Sequence, residues 1–402
     1  MEAQKLTSED ACKANVAAND LSTRARAAAE VAATHAQDVD TSGRFPSEAF
    51  AEIRKQRLLG ILVPRALNGE GASLAELADV CFTLGQACSS AALIFAMHHI
   101  KMACIIRHAQ GNAALERILR LVASDQLLLA SSTTEGQAGG NVRASEAAVE
   151  HDGDQVTLER KATVISYAID ADGIVTTARR AADAASSDQV LLVLLKKDYT
   201  LERLQSWDTL GMRGTRSEGF TLRARAPAQQ LLPQPYERIH AQTMVPHAHL
   251  LWGSVWAGIA AAATAKAQAF IRNALRHSGG QMPPGAAHFT QAASSLRTLR
   301  GVLASSLRSY QAVMSDEKAM ASLEFQSMIT MTKVQASELA ATTVLQALRA
   351  CGLSGYRNDS EFSIGRHLRD VLSAPIMINN DRILANLAMT TAMTPLPTSI
   401  ST

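Results

Sequence analysis

The sequence predicts an α+β protein whose helices and strands are segregated along the chain. Apolar residues recur at helical spacing from Leu21 to about Leu127. Short alternating runs then take over until about Pro233, and helical spacing returns after Pro246 and persists almost to the end. Helices, then strands, then helices, with no strand-helix alternation, argue against a parallel doubly wound sheet. The order implies a helical domain over 1–127, a β-domain over 128–233 and a helical bundle domain over 234–402.

Each element has its own signal. Phe45-Pro46-Ser47-Glu48 is a helix start, and Leu58-Leu59-Gly60 reads as a helix stop with glycine just past the end. Arg65–Ala72 (RALNGEGA) is a polar, glycine-bearing loop, and helical runs follow over Leu74–Ala87, Ala91–His108 and Ala113–Ala123. In the middle segment Asp152-Gly153-Asp154 is a hairpin turn between two strands. Asp188–Lys197 is apolar enough for a buried strand, and Phe220–Arg225 alternates as an edge or half-exposed strand does. His247–Arg276, His288–Met314 and Leu323–Gly352 are each long enough for a bundle helix, parted by a Gly/Pro break at Ser278–Ala286 and a charged turn near Ser315–Lys318. The tail Thr394–Thr402 reads as loose. The most apolar stretch, Leu250–Ala265, is shorter than the roughly 20 residues a spanning helix needs and reads as a buried helix.

At 402 residues the chain can bury a large core, and 47% hydrophobic against 19% charged residues is the balance of a globular enzyme. A net charge of +2 gives no electrostatic case for nucleic acid or an acidic membrane as partner. Cys12, Cys81, Cys88, Cys104 and Cys351 are scattered, without a CxxC pair or Cys/His ligand spacing, so no metal site is expected and the setting reads as reduced and cytoplasmic. The N-terminus lacks a basic region followed by an apolar core, so it does not read as a secretory signal.

Four motifs carry chemistry. Ala347–Asp370, ALRACGLSGYRNDSEFSIGRHLRD, joins a glycine turn to Arg-His-Leu-Arg-Asp. Thr133–Asn141 is TTEGQAGGN, Leu158–Ala168 is LERKATVISYA, and Trp207–Phe220 is WDTLGMRGTRSEGF. Singly these have plain readings, the glycine pair as a helix C-cap and Arg366, Arg369 and Asp370 as a solvated ion-pair face. In this order they resemble the signatures of the acyl-CoA dehydrogenase family.

That resemblance implies an N-terminal helical domain, a central β-domain and a C-terminal four-helix bundle, with FAD at their junction, or FMN if the enzyme works with a separate reductase. By motif, Thr134 would hydrogen-bond the flavin ring within a loop containing Gly139 and Gly140. Gly140 stands where a serine often touches the thioester ligand. Ser166 would face the flavin N5, and Val164 replaces a tryptophan that commonly covers the ring. Arg213 and Ser217 would contact ligand or cofactor, Arg276 or Arg272 the pyrophosphate, and Arg349, Gly352 and Gly355 the rest of the cofactor. Sites shared between subunits imply a homodimer or homotetramer.

The family's base, a Glu that removes the proton alpha to a thioester carbonyl, falls on Ile378 within VLSAPIMINNDRI, and an alternative position on the first long bundle helix falls on Ala248. Neither can take a proton. Substitutes are His247 and His249, His98 and His99 (His98 also as a substrate contact), Glu218 and Asp381, while Asn379 and Asn380 could donate to a carbonyl.

The leading expectation is an FAD-dependent oxygenase or oxidase acting on an acyl-CoA thioester or similar activated substrate, since a smaller flavin cover at Val164 and an aliphatic Ile378 favour oxygen chemistry in a dry site. The alternatives are an acyl-CoA or acyl-carrier-protein dehydrogenase with a relocated base and an electron-transfer partner, a two-component monooxygenase fed by a flavin reductase, and a flavin-binding scaffold without catalysis.

Overall fold

The computed structural model describes residues 20–109, 111–134 and 144–393. Helix α1 (Leu21–Ser42) ends on Gly43 in the left-handed region, φ 63°. Helix α2 (Ser47–Lys55) begins where the Pro-Ser-Glu signal places it but stops before Gly60. Gly60 serves packing instead: a Cβ there would lie 2.8 Å from the Ala123 Cα. Helix α3 (Leu74–Ala87) opens with a capping box in which Ser73 and Glu76 satisfy each other's backbone N–H groups. Helix α4 (Ser89–His108) is buried on nearly every side, and α5 (Ala113–Asp125) starts at Asn112, whose side chain accepts from two backbone N–H groups.

Two sheets follow. Strands β1 (Leu129–Ser132), β4 (Gly173–Arg179) and β5 (Gln189–Leu195) form one in the order β1-β4-β5, with β1 and β4 parallel. Strands β2 (Glu150–Asp152), β3 (Gln155–Ile165), β6 (Tyr199–Gln205) and β7 (Glu218–Pro227) form an antiparallel sheet in the order β2-β3-β7-β6. Pairing of Asp152 with Gln155 leaves Gly153 and Asp154 as the turn, Gly153 at φ 62°. Strand β7 lies inside the sheet between β3 and β6 rather than at an edge; it is buried over Glu218–Leu222 and alternates only from Arg223. On its outer face Arg223 bridges Glu159 and Glu202 on the two neighbouring strands.

The C-terminal part is helical. Helix α6 (Tyr236–Ile239) runs through a π-helical turn, His240–Met244, into α7 (Val245–His277). Pro246 has no N–H to donate, and the Val245 N–H reaches back to the His240 carbonyl, which widens the turn. Helices α7, α8 (Ala286–Val313) and α10 (Leu323–Tyr356) pack mutually, with α9 (Glu317–Ala321) between α8 and α10 in sequence. The fourth member of the bundle is segmented: α11 (Gly365–Val371) touches α7 and α10, while α12 (Ser373–Ile376) and α13 (Asn380–Met393) lie on α10. Gly352, at φ 56° and ψ −134°, kinks α10 before its end.

Two features join these layers. Helices α3 and α7 meet backbone to backbone, since a Cβ on Gly85 would sit 2.6 Å from the Val255 carbonyl oxygen and one on Gly258 2.4 Å from that of Phe82. The Arg-Asp end of α11 is a clamp rather than a solvated face. Arg369 pairs with the buried Asp40 of α1, and the buried Asp370 accepts from the Met212 N–H at 2.7 Å. The two helical stretches apolar enough to span a membrane, Ser89–His108 and Tyr236–His277, are 89% and 78% buried within the fold over their most apolar windows.

Candidate active site

A cavity of about 1130 Å³ opens where α4, the ends of β1 and β3, the α6–α7 segment, the start of α10 and the loop into α13 converge. The β-domain wall owes its shape to an irregularity in β3. Its register with β7 shifts between Ala162 and Ile165, which releases Thr163 and Val164 into the cavity. Tyr167, at φ 44°, closes this turn by donating its hydroxyl to the Leu129 carbonyl of β1 at 3.0 Å. Beyond β1, Thr133 and Thr134 extend the wall. Thr134 and Val164 are therefore brought together, as their motifs imply; Gly139 and Gly140 lie outside the described residues.

Ser166 lies two residues from Val164, half-buried and outside the cavity lining. Its Oγ is 2.7 Å from that of Ser217, which is 2.8 Å from Thr215 Oγ1, which in turn donates to the Met212 carbonyl at 2.8 Å. A carbonyl only accepts, so the Thr215 proton is committed. Ser217 then donates to Thr215, and Ser166 to Ser217. The chain leaves Ser166 offering lone pairs. Arg213 is not in the cavity wall; it donates to the Asp40 and Thr209 carbonyls, each at 2.9 Å, and pairs with Asp208.

The opposite wall carries Ile378, an isoleucine at φ 48°. A β-branched residue in the left-handed region is held there by its surroundings. The holder is Lys333 on α10, which sequence reasoning missed. Fully buried, its Nζ donates to the Ile378 carbonyl at 3.2 Å and to Asn380 Oδ1 at 2.6 Å, and desolvation lowers its pKa to about 8. Asn380 also donates to Ser337 Oγ at 3.0 Å and Glu338 Oε1 at 2.7 Å, so its amide is spent on anchoring. Asn379 lines the cavity, but its Oδ1 caps α13 through the Asp381 and Arg382 N–H groups. The Asp381 side chain is exposed and absent from the lining.

The histidines divide cleanly. His98 Nε2 donates to the Leu59 carbonyl at 2.9 Å and its Nδ1 accepts from the Leu129 N–H at 3.0 Å, so it pins β1 to the N-terminal helices and touches no part of the cavity. His99 donates to the Leu58 carbonyl at 3.1 Å, and His247 to the Thr243 carbonyl at 2.8 Å; neither lines the cavity. His249 does, alongside Ala248. Its Nδ1 donates to the Ile329 carbonyl at 2.9 Å, which leaves Nε2 unprotonated, and burial lowers its pKa to about 4. Glu218 is buried between Arg203 and Arg216 in the β-domain, away from the cavity.

Among the described residues lining the cavity there is no Asp or Glu. The wall does include a buried Trp252 Nε1 and a buried Ser327 Oγ without hydrogen-bond partners, and Lys101 of α4, also missed in the sequence. Arg272, Arg276, Arg349 and Gly352 are exposed on α7 and α10, outside the cavity. Gly355 is buried in the turn that follows the α10 kink, its carbonyl accepting from the Ile364 N–H.

Residues 20–125 match the acyl-CoA dehydrogenase N-terminal domain. Over 345 residues the chain is 25% identical to the probable acyl-CoA dehydrogenase YngJ of Bacillus subtilis, covering 84% of this chain and 87% of that one. FMN-bound TdsC from Paenibacillus sp. A11-2 superposes with a TM-score of 0.82 at 17% identity, covering 94% of this chain and 98% of TdsC. The chain has the acyl-CoA dehydrogenase fold. A nitrososynthase from Micromonospora carbonacea shares this fold with a TM-score of 0.80 at 22% identity, covering 92% and 95% of the two chains. Within the acyl-CoA dehydrogenase fold, then, this chain places an aliphatic side chain and a neutral histidine around its cavity.

Proposed function

We propose that the protein is a flavin-dependent monooxygenase that acts on a small molecule held in this cavity. The observation that carries the reading is the cavity wall itself, with Ile378 at the motif position of the base, Ala248 at the alternative one, and no carboxylate among the described lining residues. Removing a proton alpha to a thioester requires a base of suitable pKa within hydrogen-bond reach. Of the bases the sequence offered, His249 alone lines the cavity, beside His240 of the π-helical turn, and a pKa lowered to about 4 makes His249 a weak base at neutral pH. TdsC, a dibenzothiophene monooxygenase, and the nitrososynthase share the fold, so the fold accommodates oxygen chemistry as well as dehydrogenation, and the missing base favours the former.

The residues present fit a flavin. The volume of about 1130 Å³ exceeds what a small substrate alone needs, and Thr134, Thr163 and Val164 form one wall next to the Ser166 hydroxyl chain. Ser166 lies outside the lining but two residues from Val164; at the N5 position its motif implies, its lone pairs would suit a ring N–H, which the reduced flavin has and the oxidised one lacks. A bound reduced flavin supplies the electrons that activate dioxygen. The chain's own part is to hold the ring, exclude water with the buried Ile100, Met244 and Ile383, and orient the substrate. FMN bound to TdsC favours FMN delivered reduced by a separate reductase, with FAD the alternative.

A homo-oligomer accompanies this reading. Leu353 and Tyr356 at the end of α10, and Ile376, Met389 and Met393 on α12 and α13, are 72 to 80% exposed, apolar surface that a second copy would cover. Arg272, Arg276 and Arg349 lie on α7 and α10. The deciding experiment supplies reduced FMN or FAD under labelled dioxygen with a panel of aromatic, sulfur-containing and acyl substrates. Label in a product supports the monooxygenase. Flavin bleaching by a saturated acyl-CoA, with no label incorporated, assigns a dehydrogenase using His249 and overturns the proposal, and so does the absence of any flavin binding.

A further inference from the structure

We infer that Lys101 is the receptor for a compact oxyanion on the substrate, a carboxylate or a group of the same charge and shape, at the α4 wall of the cavity. This deepens the proposed reading, since it rests on the cavity being where the substrate sits. Lys101 is only 3% exposed, yet it lines the cavity. Its one hydrogen-bond partner among the described residues is Met244 Sδ at 3.4 Å, and the Tyr236 hydroxyl donates to the same sulfur at 3.3 Å.

Two donors from different helices thus converge on a thioether, which is a weak acceptor. An ammonium group withdrawn from water is normally matched by a carboxylate. Here the groups facing it are Cys104 on its own helix, Arg160 from β3, and Met244 with Tyr236 from the α6–α7 segment. Cys104 is a neutral thiol, its pKa pushed up to about 12 by burial, and Arg160 repels. Among the described residues, then, a buried cation lines the cavity with no countercharge beside it. A substrate oxyanion would supply that charge, displace the sulfur as acceptor of both donors, and fix which end of the substrate points away from Ile378.

Desolvation lowers the Lys101 pKa to about 8, which makes the receptor visible through pH. Flavin-free protein is titrated with benzoate, octanoate and phenylphosphonate against benzamide, octanamide and benzyl alcohol. Binding is followed by tryptophan fluorescence, for which Trp252 in the wall is the reporter. At least one anion is expected to bind about tenfold or more tightly than its neutral counterpart at pH 7, and its affinity to fall about tenfold by pH 9 as the free lysine deprotonates. Lys101→Met abolishes the preference and Lys101→Arg retains it, each variant's fold being checked by circular dichroism. The wild-type pH series needs no variant at all.

Equal binding of every anion and its neutral partner, no binding of any anion, or a preference surviving in Lys101→Met overturns the inference. In a parallel arm, FMN and riboflavin are titrated into wild type and Lys101→Met, and equal affinities in the two proteins are expected. If the variant weakens flavin binding and leaves the benzoate preference intact, the cation serves the cofactor and the inference fails. Because the anion titrations contain neither flavin nor oxygen, their failure leaves the monooxygenase reading standing, and failure of the labelled-oxygen experiment leaves the anion receptor standing.

Discussion

Replacing His98 by leucine separates a structural histidine from a substrate contact. The ring spans two buried backbone groups, the Leu59 carbonyl at 2.9 Å and the Leu129 N–H at 3.0 Å, and leucine satisfies neither. A buried polar group left without a partner costs about 1–3 kcal/mol, so His98→Leu should lower stability by about 2–5 kcal/mol at pH 7. Acid supplies a second, signed test. Burial lowers the His98 pKa from 6.5 to about 4, so between these values the unfolded chain binds a proton that the folded chain refuses. Stability is therefore fully present above pH 6.5 and lost as pH falls toward 4. From pH 7 to pH 5 this one ring removes about 2 kcal/mol from the wild type and nothing from His98→Leu. Urea unfolding followed by circular dichroism at both pH values should show the gap between the two proteins narrowing by about that amount. A gap below about 1 kcal/mol at pH 7, or one of constant size at pH 5 and pH 7, would mean that His98 is not a neutral pin and would reopen a role in binding.

Asn380→Leu removes the 2.6 Å acceptor of the buried Lys333 and should cost about 3 kcal/mol; adding Lys333→Met should recover more than half of it in thermal or urea melts, because the stranded charge is then gone. Gly258→Ala places a methyl 2.4 Å from the Phe82 carbonyl oxygen and should destabilise by about 1–3 kcal/mol, whereas Gly301→Ala, with nothing within 4 Å, should be neutral or stabilising by about 0.5–1 kcal/mol. Leu353→Glu combined with Tyr356→Glu, both exposed at the end of α10, should reduce the particle mass measured by light scattering; a wild type that is already monomeric refutes the homo-oligomer.

What the sequence made legible was whatever is decided within a few residues. The helix start at Ser47, the helix over Leu74–Ala87 and the Gly153 turn fall where their local signals place them. Thr134, Val164 and Ile378 were reachable because each sits beside a motif that fixes its position in the fold. Lys101 and Lys333 were not, since a lysine in an apolar helix reads as solvent-facing until the neighbouring helices are known. His98 and His249 are the same residue type on two helices, and only the three-dimensional arrangement shows one locked between backbone groups and the other at the cavity wall. Gly60 looked like a helix stop because its close neighbour, Ala123, is distant in sequence. The clamp at Arg369 and Asp370 was hidden for the same reason, its partners being Asp40 and Met212.

The crossing at Gly85 and Gly258 fixes how α7, and with it one wall of the cavity, sits on the N-terminal helices. Most helix contacts are cushioned by side chains that change rotamer, so the spacing between two helices yields by fractions of an ångström when a bulky guest arrives. Here main chain rests on main chain, and there is no rotamer to give way. Helix α7 carries Ala248, His249 and Trp252 into the cavity and is braced at this fulcrum against α3, which precedes the Lys101 helix. The seating of α7 on α3 is thus rigid, while the rim of the cavity carries Ile376 and Ile378, exposed at the end of α12 and in the loop into α13.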